Sequence, residues 1–326
     1  MTQSPFSPAH TIVVTDSGLG GLSVYAAIAA GLSQTDVPGS GIHLIYVNAW
    51  PETDKGYNHY PDMTRKAAVF DQALAAMAAL NPDALVIACN TLSVIYPCTE
   101  FSKTTRMPVH DIIDQGVRLA ADTMNRNPET GVILFGTPTT ADSQIHARRL
   151  IGQGMAPDRI ITQGCTGLAG IIERNPFDPE INNRIQDNVD QAMAKGANRF
   201  QQIAAALCCT HFGYCRDQFA SAITRHTGTA PKILDPNQDL AAKVVTATQN
   251  TLSATPVHDR PITKKPTSRT SSMNLQILSR VLWEPERIQA YATLFESPAP
   301  RVAEALKNYQ YHPDLFHIPE PGDPST

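Results

Sequence analysis

Residues Asp83-Ala84-Leu85-Val86-Ile87-Ala88-Cys89-Asn90-Thr91 decide how this chain reads. Leu85 to Ala88 is a short, wholly apolar run, the pattern of a strand buried on both faces of a parallel sheet. It stops abruptly at a thiol, an amide and a hydroxyl. In open α/β sheets ligands sit at the carboxyl ends of strands, so a strand delivering three small polar side chains marks a candidate site. A second stretch repeats the arrangement. Ala204-Ala205-Ala206-Leu207-Cys208-Cys209-Thr210-His211 also runs from apolar residues into a cysteine and a hydroxyl, now with an imidazole. A lone cysteine ending an apolar strand is ordinarily a small buried hydrophobe. Two of them, each flanked by hydrogen-bonding groups, indicate one site approached from two sides. Strand alternation points Cys208 and Cys209 to opposite faces, so only one of the two can face the site.

Working outward, strands and helices alternate. Residues 11 to 15 read as a strand, and Asp16-Ser17-Gly18-Leu19-Gly20-Gly21 as a turn into a helix over Val24 to Gly31. The glycines permit a tight backbone, and the free N–H groups at a helix start favour an anion. Asp16 and Ser17 therefore either face a ligand or merely cap the helix. The G-x-G-x-x-G spacing of a dinucleotide site is absent. His43 to Asn48 is a strand, followed by a polar loop (Ala49 to Pro61) and an Ala-rich helix from Asp62, its cap, to Leu80. Further strands are expected at 109–113, 132–135, 159–162 and 232–235. The hydroxyl-rich turn Gly136-Thr137-Pro138-Thr139-Thr140 follows one of them, and Glu173 ends another apolar run.

This order predicts an α/β fold of two pseudo-symmetric parallel-sheet domains with the active site in the cleft between them. The first domain is expected over 10–112 and 232–252, the second over 113–231. Residues 253–326 read as a linker, rich in Thr, Pro, Lys and Ser up to 272, and a helical C-terminal extension over 273–307 broken near Trp283-Glu284-Pro285.

The chain has 326 residues, 42% of them hydrophobic, enough for about two domains with substantial cores. A net charge of -4 provides no basic footprint for nucleic acid. No apolar run is long enough to span a membrane, and Met1 to His10 carries no secretory pattern. Six cysteines without scaffold spacing fit reduced thiols in the cytoplasm. Cys208, Cys209, His211 and Cys215 crowd together, but adjacent cysteines diverge and paired knuckles are missing, so no metal site is expected.

Taken together, Asp16 to Gly21, Ala88-Cys89-Asn90-Thr91, the Gly136-Thr137, Thr140 and Ser143 turn, and Cys209-Thr210-His211 resemble, in order, the motifs of the cofactor-independent aspartate/glutamate racemase superfamily, most closely the glutamate racemases. The resemblance covers about residues 11–248. It implies an amino-acid racemase that needs no cofactor, with Cys89 and Cys209 as the proton-transferring pair and Asp16, Glu173 and His211 as supporting acid/base groups. It further implies Asp16, Ser17, Asn90, Thr91, Thr137, Thr140, Thr210 and His211 around the substrate, and a homodimer as the assembly. The sequence departs from the glutamate racemases in Cys208 and Phe212-Gly213 around the second motif. It departs again in the loop 49–61, where the proline-tyrosine-glycine segment has no counterpart and the family's acidic residue falls at Asp54 or is absent. Interconversion of L- and D-glutamate is the leading expectation. A racemase, epimerase or isomerase acting on aspartate or another polar acid, and a non-catalytic ligand-binding or regulatory relative, stay open beside it.

Overall fold

The computed structural model describes residues 10–33, 41–254 and 273–320. The expectations for the N-terminus (residues 1–9) and for most of the linker (255–272) lie outside the described residues. Among the described residues ten strands form two sheets: β1 (His10–Asp16), β2 (Ile42–Asn48), β3 (Ala84–Ile87), β4 (Val109–Asp111), β5 (Thr130–Gly136), β6 (Ile160–Gly164), β7 (Gln202–Cys208), β8 (Lys232–Leu234), β9 (Met273–Ser279) and β10 (Gln310–Tyr311). One sheet runs β10-β9-β2-β1-β3-β4 and the other β6-β5-β7-β8. Every pairing between these strands is parallel.

The expected α/β architecture with two parallel sheets is what the chain adopts. The apolar runs are central because both of their faces are covered. Val86 and Ala88 pack with Ile12, Val14 and the helix Leu22–Ser33. Leu85, Ile87 and Cys89 pack on the opposite face with Val69, Phe70 and the loop tyrosines Tyr57 and Tyr60. β7 divides in the same way: Ala205, Leu207 and Cys209 join one core, and Ala204, Ala206 and Cys208 the other. Period-two alternation thus separates Cys208 from Cys209, as the sequence requires.

Two expectations are corrected. The strand at 232–234 pairs with β7, through Ala204 to Lys232 and Ala206 to Leu234, so it extends the second sheet rather than the first. Only the helix after it, Pro236–Ala254, packs back against the first sheet's helix, with Leu240, Ala241 and Val244 in the core of Ile28 and Leu32. The second correction concerns 273–279, expected to be helical. It is strand β9, in register with β2 along its whole length from Ile42–Met273 to Asn48–Ser279. The extension's helices are Pro285–Phe295 and Pro300–Lys307, both covering the first sheet through Tyr291, Phe295, Val302 and Leu306.

Candidate active site

The carboxyl end of each central strand opens into a helix start. Cys89 stands at the N-cap of Asn90–Ile95, Thr137 at that of Pro138–Ser143, and Cys209 before the short turn Thr210–Cys215. The turn after β1 faces the same region, and hydrogen bonds stitch the two halves together there. Thr210 Oγ1 donates to Asp16 Oδ2 at 2.7 Å. The backbone N–H of Leu19 donates to Glu173 Oε2 at 2.7 Å. Thr91 and Thr137 share a 2.8 Å hydroxyl contact, extended to Thr140 at 3.1 Å. At the rim, Lys66 Nζ donates to Thr139 Oγ1 at 2.8 Å.

Asp16 and Ser17 do not cap the helix that follows them. Ser17 Oγ lies 3.2 Å from Cys89 Sγ, and Asp16 is engaged by Thr210. The glycines of that turn are there for closeness. A Cβ on Gly20 would sit 2.4 Å from Thr210 Oγ1 and 2.6 Å from His211 Nδ1, and one on Gly18 would sit 2.6 Å from Glu173 Oε2.

Each thiol has its own acid/base company. Beside Cys89 are Ser17 and Asp16. Burial, and then the charge of Asp16, push the Cys89 thiol above its ordinary range, against hydrogen bonds from Ser17 and the backbone of Leu92. Burial likewise raises Asp16, offset in part by His211 and Thr210. On the other side, Cys209 Sγ lies 3.8 Å from His211 Nδ1, and His211 Nε2 lies 2.7 Å from Glu173 Oε2. Burial opposes the imidazolium, but the hydrogen bonds and charges of Cys209 and Glu173 outweigh it and hold His211 well above its usual range. Cys209, His211 and Glu173 therefore form a continuous chain of polar contacts along which a proton could be relayed, while Cys89 lies beside a carboxyl and a hydroxyl.

Asn90 is buried with neither its amide oxygen nor its amide nitrogen partnered, and Asp16 Oδ1 is likewise buried and unpaired. Buried polar groups are rarely left so, and these are the groups that a small polar ligand would engage. The structure brings together Asp16, Ser17, Cys89, Asn90 and Thr91 from one half with Thr137, Thr140, Glu173, Cys209, Thr210 and His211 from the other. Asp54 is exposed within the Glu52–Lys55 bridge, so the acid beside Cys89 is Asp16.

Sequence reasoning missed three residues here. Tyr57, in the divergent loop, is buried with its hydroxyl unpartnered and feels the charge of Cys89. Arg287 of the extension reaches Glu173, and Tyr291 donates to the backbone oxygen of Ile172 at 2.9 Å. A glycine-tyrosine pair in a polar loop was a signal for the first; nothing local pointed to the other two. Among the described residues no helix is long and apolar enough to cross a membrane, and no group of three His, Cys, Asp or Glu is placed to hold a metal ion.

Residues 12–244 match the family model described as Asp/Glu/Hydantoin racemase, well over half of the chain. Among curated proteins, the chain is 29% identical over 206 residues to a glutamate racemase of Syntrophus aciditrophicus, covering 62% of this chain and 68% of that one. It is 28% identical over 207 residues to a glutamate racemase of Neisseria gonorrhoeae, with the same coverage of 62% and 68%. Among solved structures, a Thermus thermophilus glutamate racemase in complex with β-chloro-D-alanine superposes with a TM-score of 0.60 at 20% identity, covering 95% of this chain and 98% of that one. A Bacillus anthracis glutamate racemase isoform gives 0.58 at 19% identity, covering 88% and 92%. At these identities the structural likeness speaks for the fold.

Proposed function

The chain belongs to the Asp/Glu/Hydantoin racemase family, and on that premise we propose that this isomerase interconverts L- and D-glutamate by two-thiol proton transfer at Cα, without a cofactor. The observation that carries the reading is the Thr210–Asp16 bond, which joins the residue after one thiol to the acid beside the other. Inverting a stereocentre requires a proton to leave one face of the carbon and another to arrive on the opposite face. Two acid/base groups on opposed strand ends meet that need.

In one direction a thiolate at Cys209 takes the Cα proton, and the Cys89 thiol delivers its own to the far face. In the other direction the roles exchange. Each turnover leaves the protonation states of the two cysteines reversed, and Asp16 on one side and His211 with Glu173 on the other restore them. The Cα–H is a much weaker acid than a thiol, so most of the barrier must fall through hydrogen bonds to the charge developing on the substrate carboxylate. Asn90, Thr91 and Ser17 are the donors assigned to that task, with the backbone N–H of Thr210, whose hydroxyl proton is committed to Asp16. Thr137 and Thr140 assist from the second half.

The names of the curated relatives support glutamate as substrate. The divergent loop carrying Tyr57 favours, as a second reading, the same chemistry on aspartate or another polar amino acid. Both are tested by Cα-proton exchange in deuterated water, followed by NMR over D- and L-glutamate, aspartate and their amides. Glutamate exchange that disappears in Cys89→Ser and in Cys209→Ser supports the proposal. Exchange confined to another member of the panel reassigns the substrate. Retained activity in Cys209→Ser with loss in Cys208→Ser would overturn the assignment of the thiols.

A further inference from the structure

Glu173 is a buried carboxylate with a divided environment. Oε2 accepts from the Leu19 backbone at 2.7 Å and contacts His211 Nε2 at 2.7 Å. Oε1 faces Arg287, whose guanidinium nitrogen is 3.8 Å away, an ion pair rather than a hydrogen bond. Among the described residues Arg287 is the only cation other than His211 within ion-pair distance of Glu173. The remaining titratable groups that feel Glu173 are Asp16 and the phenols of Tyr46, Tyr214 and Tyr291.

Arg287 is not a stray surface side chain. It lies one helical turn before Tyr291, which is fully buried, donates to the Ile172 oxygen beside Glu173 and packs edge-on against Tyr214 at 5.6 Å. Tyr214 in turn donates to the oxygens of Leu19 and Gly20 at 3.1 and 3.2 Å. The helix carrying Arg287 is itself fixed to the first sheet through Ala292 and Phe295. The extension therefore reaches from the first sheet to the acid of the second half.

We propose that Arg287 is a positioning residue of the Cys209–His211–Glu173 relay: it fixes Glu173 and keeps the proton of the Glu173–His211 hydrogen bond on the imidazole. The cation stands next to the carboxylate and farther from the ring, so it favours the charge-separated arrangement over the one in which the proton sits on Glu173. Without it the pair relaxes toward a neutral acid and a neutral imidazole, which is a poorer proton donor to Cys209.

The kinetic arm of the test rests on the racemase reading, whereas the spectroscopic arm does not. Protein with 15N-labelled histidine is titrated between pH 6 and 8, with the His211 signals assigned from His211→Asn. In the imidazolium the two ring nitrogens resonate close together, and in the neutral ring they separate widely. The wild-type protein and Arg287→Lys are expected to show the imidazolium pattern. Arg287→Met and Arg287→Gln are expected to show the neutral one, with kcat lowered about tenfold or more and KM changed far less. An unchanged His211 pattern in a folded neutral variant overturns the proposal. So does failure of both neutral variants to fold, since Arg287 would then serve the fold alone. If wild-type protein exchanges no amino acid of the panel, the racemase reading fails and the NMR result still decides the role of Arg287.

Discussion

Thr210 Oγ1 donates a hydrogen bond to Asp16 Oδ2 at 2.7 Å, so the environment of Cys89 is set in part by the neighbour of Cys209. Thr210→Val removes the donor and leaves a buried carboxyl short of its partner, at a cost of about 1–3 kcal/mol. Asp16→Asn removes the group whose burial disfavours its charge and is expected to keep or raise stability at neutral pH while lowering exchange by about 10²-fold or more. A double-mutant cycle on urea unfolding should return a coupling of about 0.5–3 kcal/mol between the two positions. Strict additivity would mean that the bond is incidental.

Stability should fall from near-neutral to alkaline pH through His211. Its folded-state value lies above the unfolded one, so its contribution is fully present below about 6.5 and is lost as pH rises through the raised value. Glu173→Gln removes one of the two groups that raise it. Chemical denaturation from pH 6 to 9 is expected to show a shallower decline in that variant than in the wild type, and parallel curves would contradict the pairing.

Gly20→Ala tests the closeness of the two halves. The added methyl would meet Thr210 and His211 well inside contact distance. A loss of about 1–3 kcal/mol in stability is expected from overpacking, with exchange activity falling further than stability alone explains. A melting temperature and a rate both equal to wild type would show that the turn yields freely.

Tyr57→Phe tests the divergent loop. Its buried hydroxyl has no protein partner, so deleting it should leave stability unchanged or slightly raised. If that hydroxyl meets substrate, KM rises about tenfold on the loss of one hydrogen bond. An unchanged KM across the amino-acid panel would remove Tyr57 from the site.

Much of the frame was legible because its signals are local. The runs before Cys89 and Cys209 are apolar on both faces, and each ends where hydrogen-bonding side chains begin. Glu173 stood out as an acid closing an apolar run, although that run proves to be a helix, Leu168–Arg174. The misplacement of 232–234 came from imposing symmetry on the halves, when adjacency in sequence already favoured pairing with β7. Met273, Leu275 and Ile277 alternate with Asn274 and Gln276, the period of a strand, but seven residues fit a helical stripe nearly as well. Their partner, β2, lies more than two hundred residues upstream, and no local pattern records it. Arg287 and Tyr291 were invisible for the same reason, since their meaning depends on that pairing.

That late strand also orders events in time. Asn48 and Ser279 are joined side chain to side chain at 3.0 Å across a separation of 231 residues, with β9 covering the whole of β2. During synthesis β2 must wait with an unpaired edge while β3 to β8 emerge, an exposure that long-range parallel pairing makes slow and prone to aggregation. The helix that carries Arg287 follows β9 directly, so one late step both seals that edge and brings the arginine to Glu173.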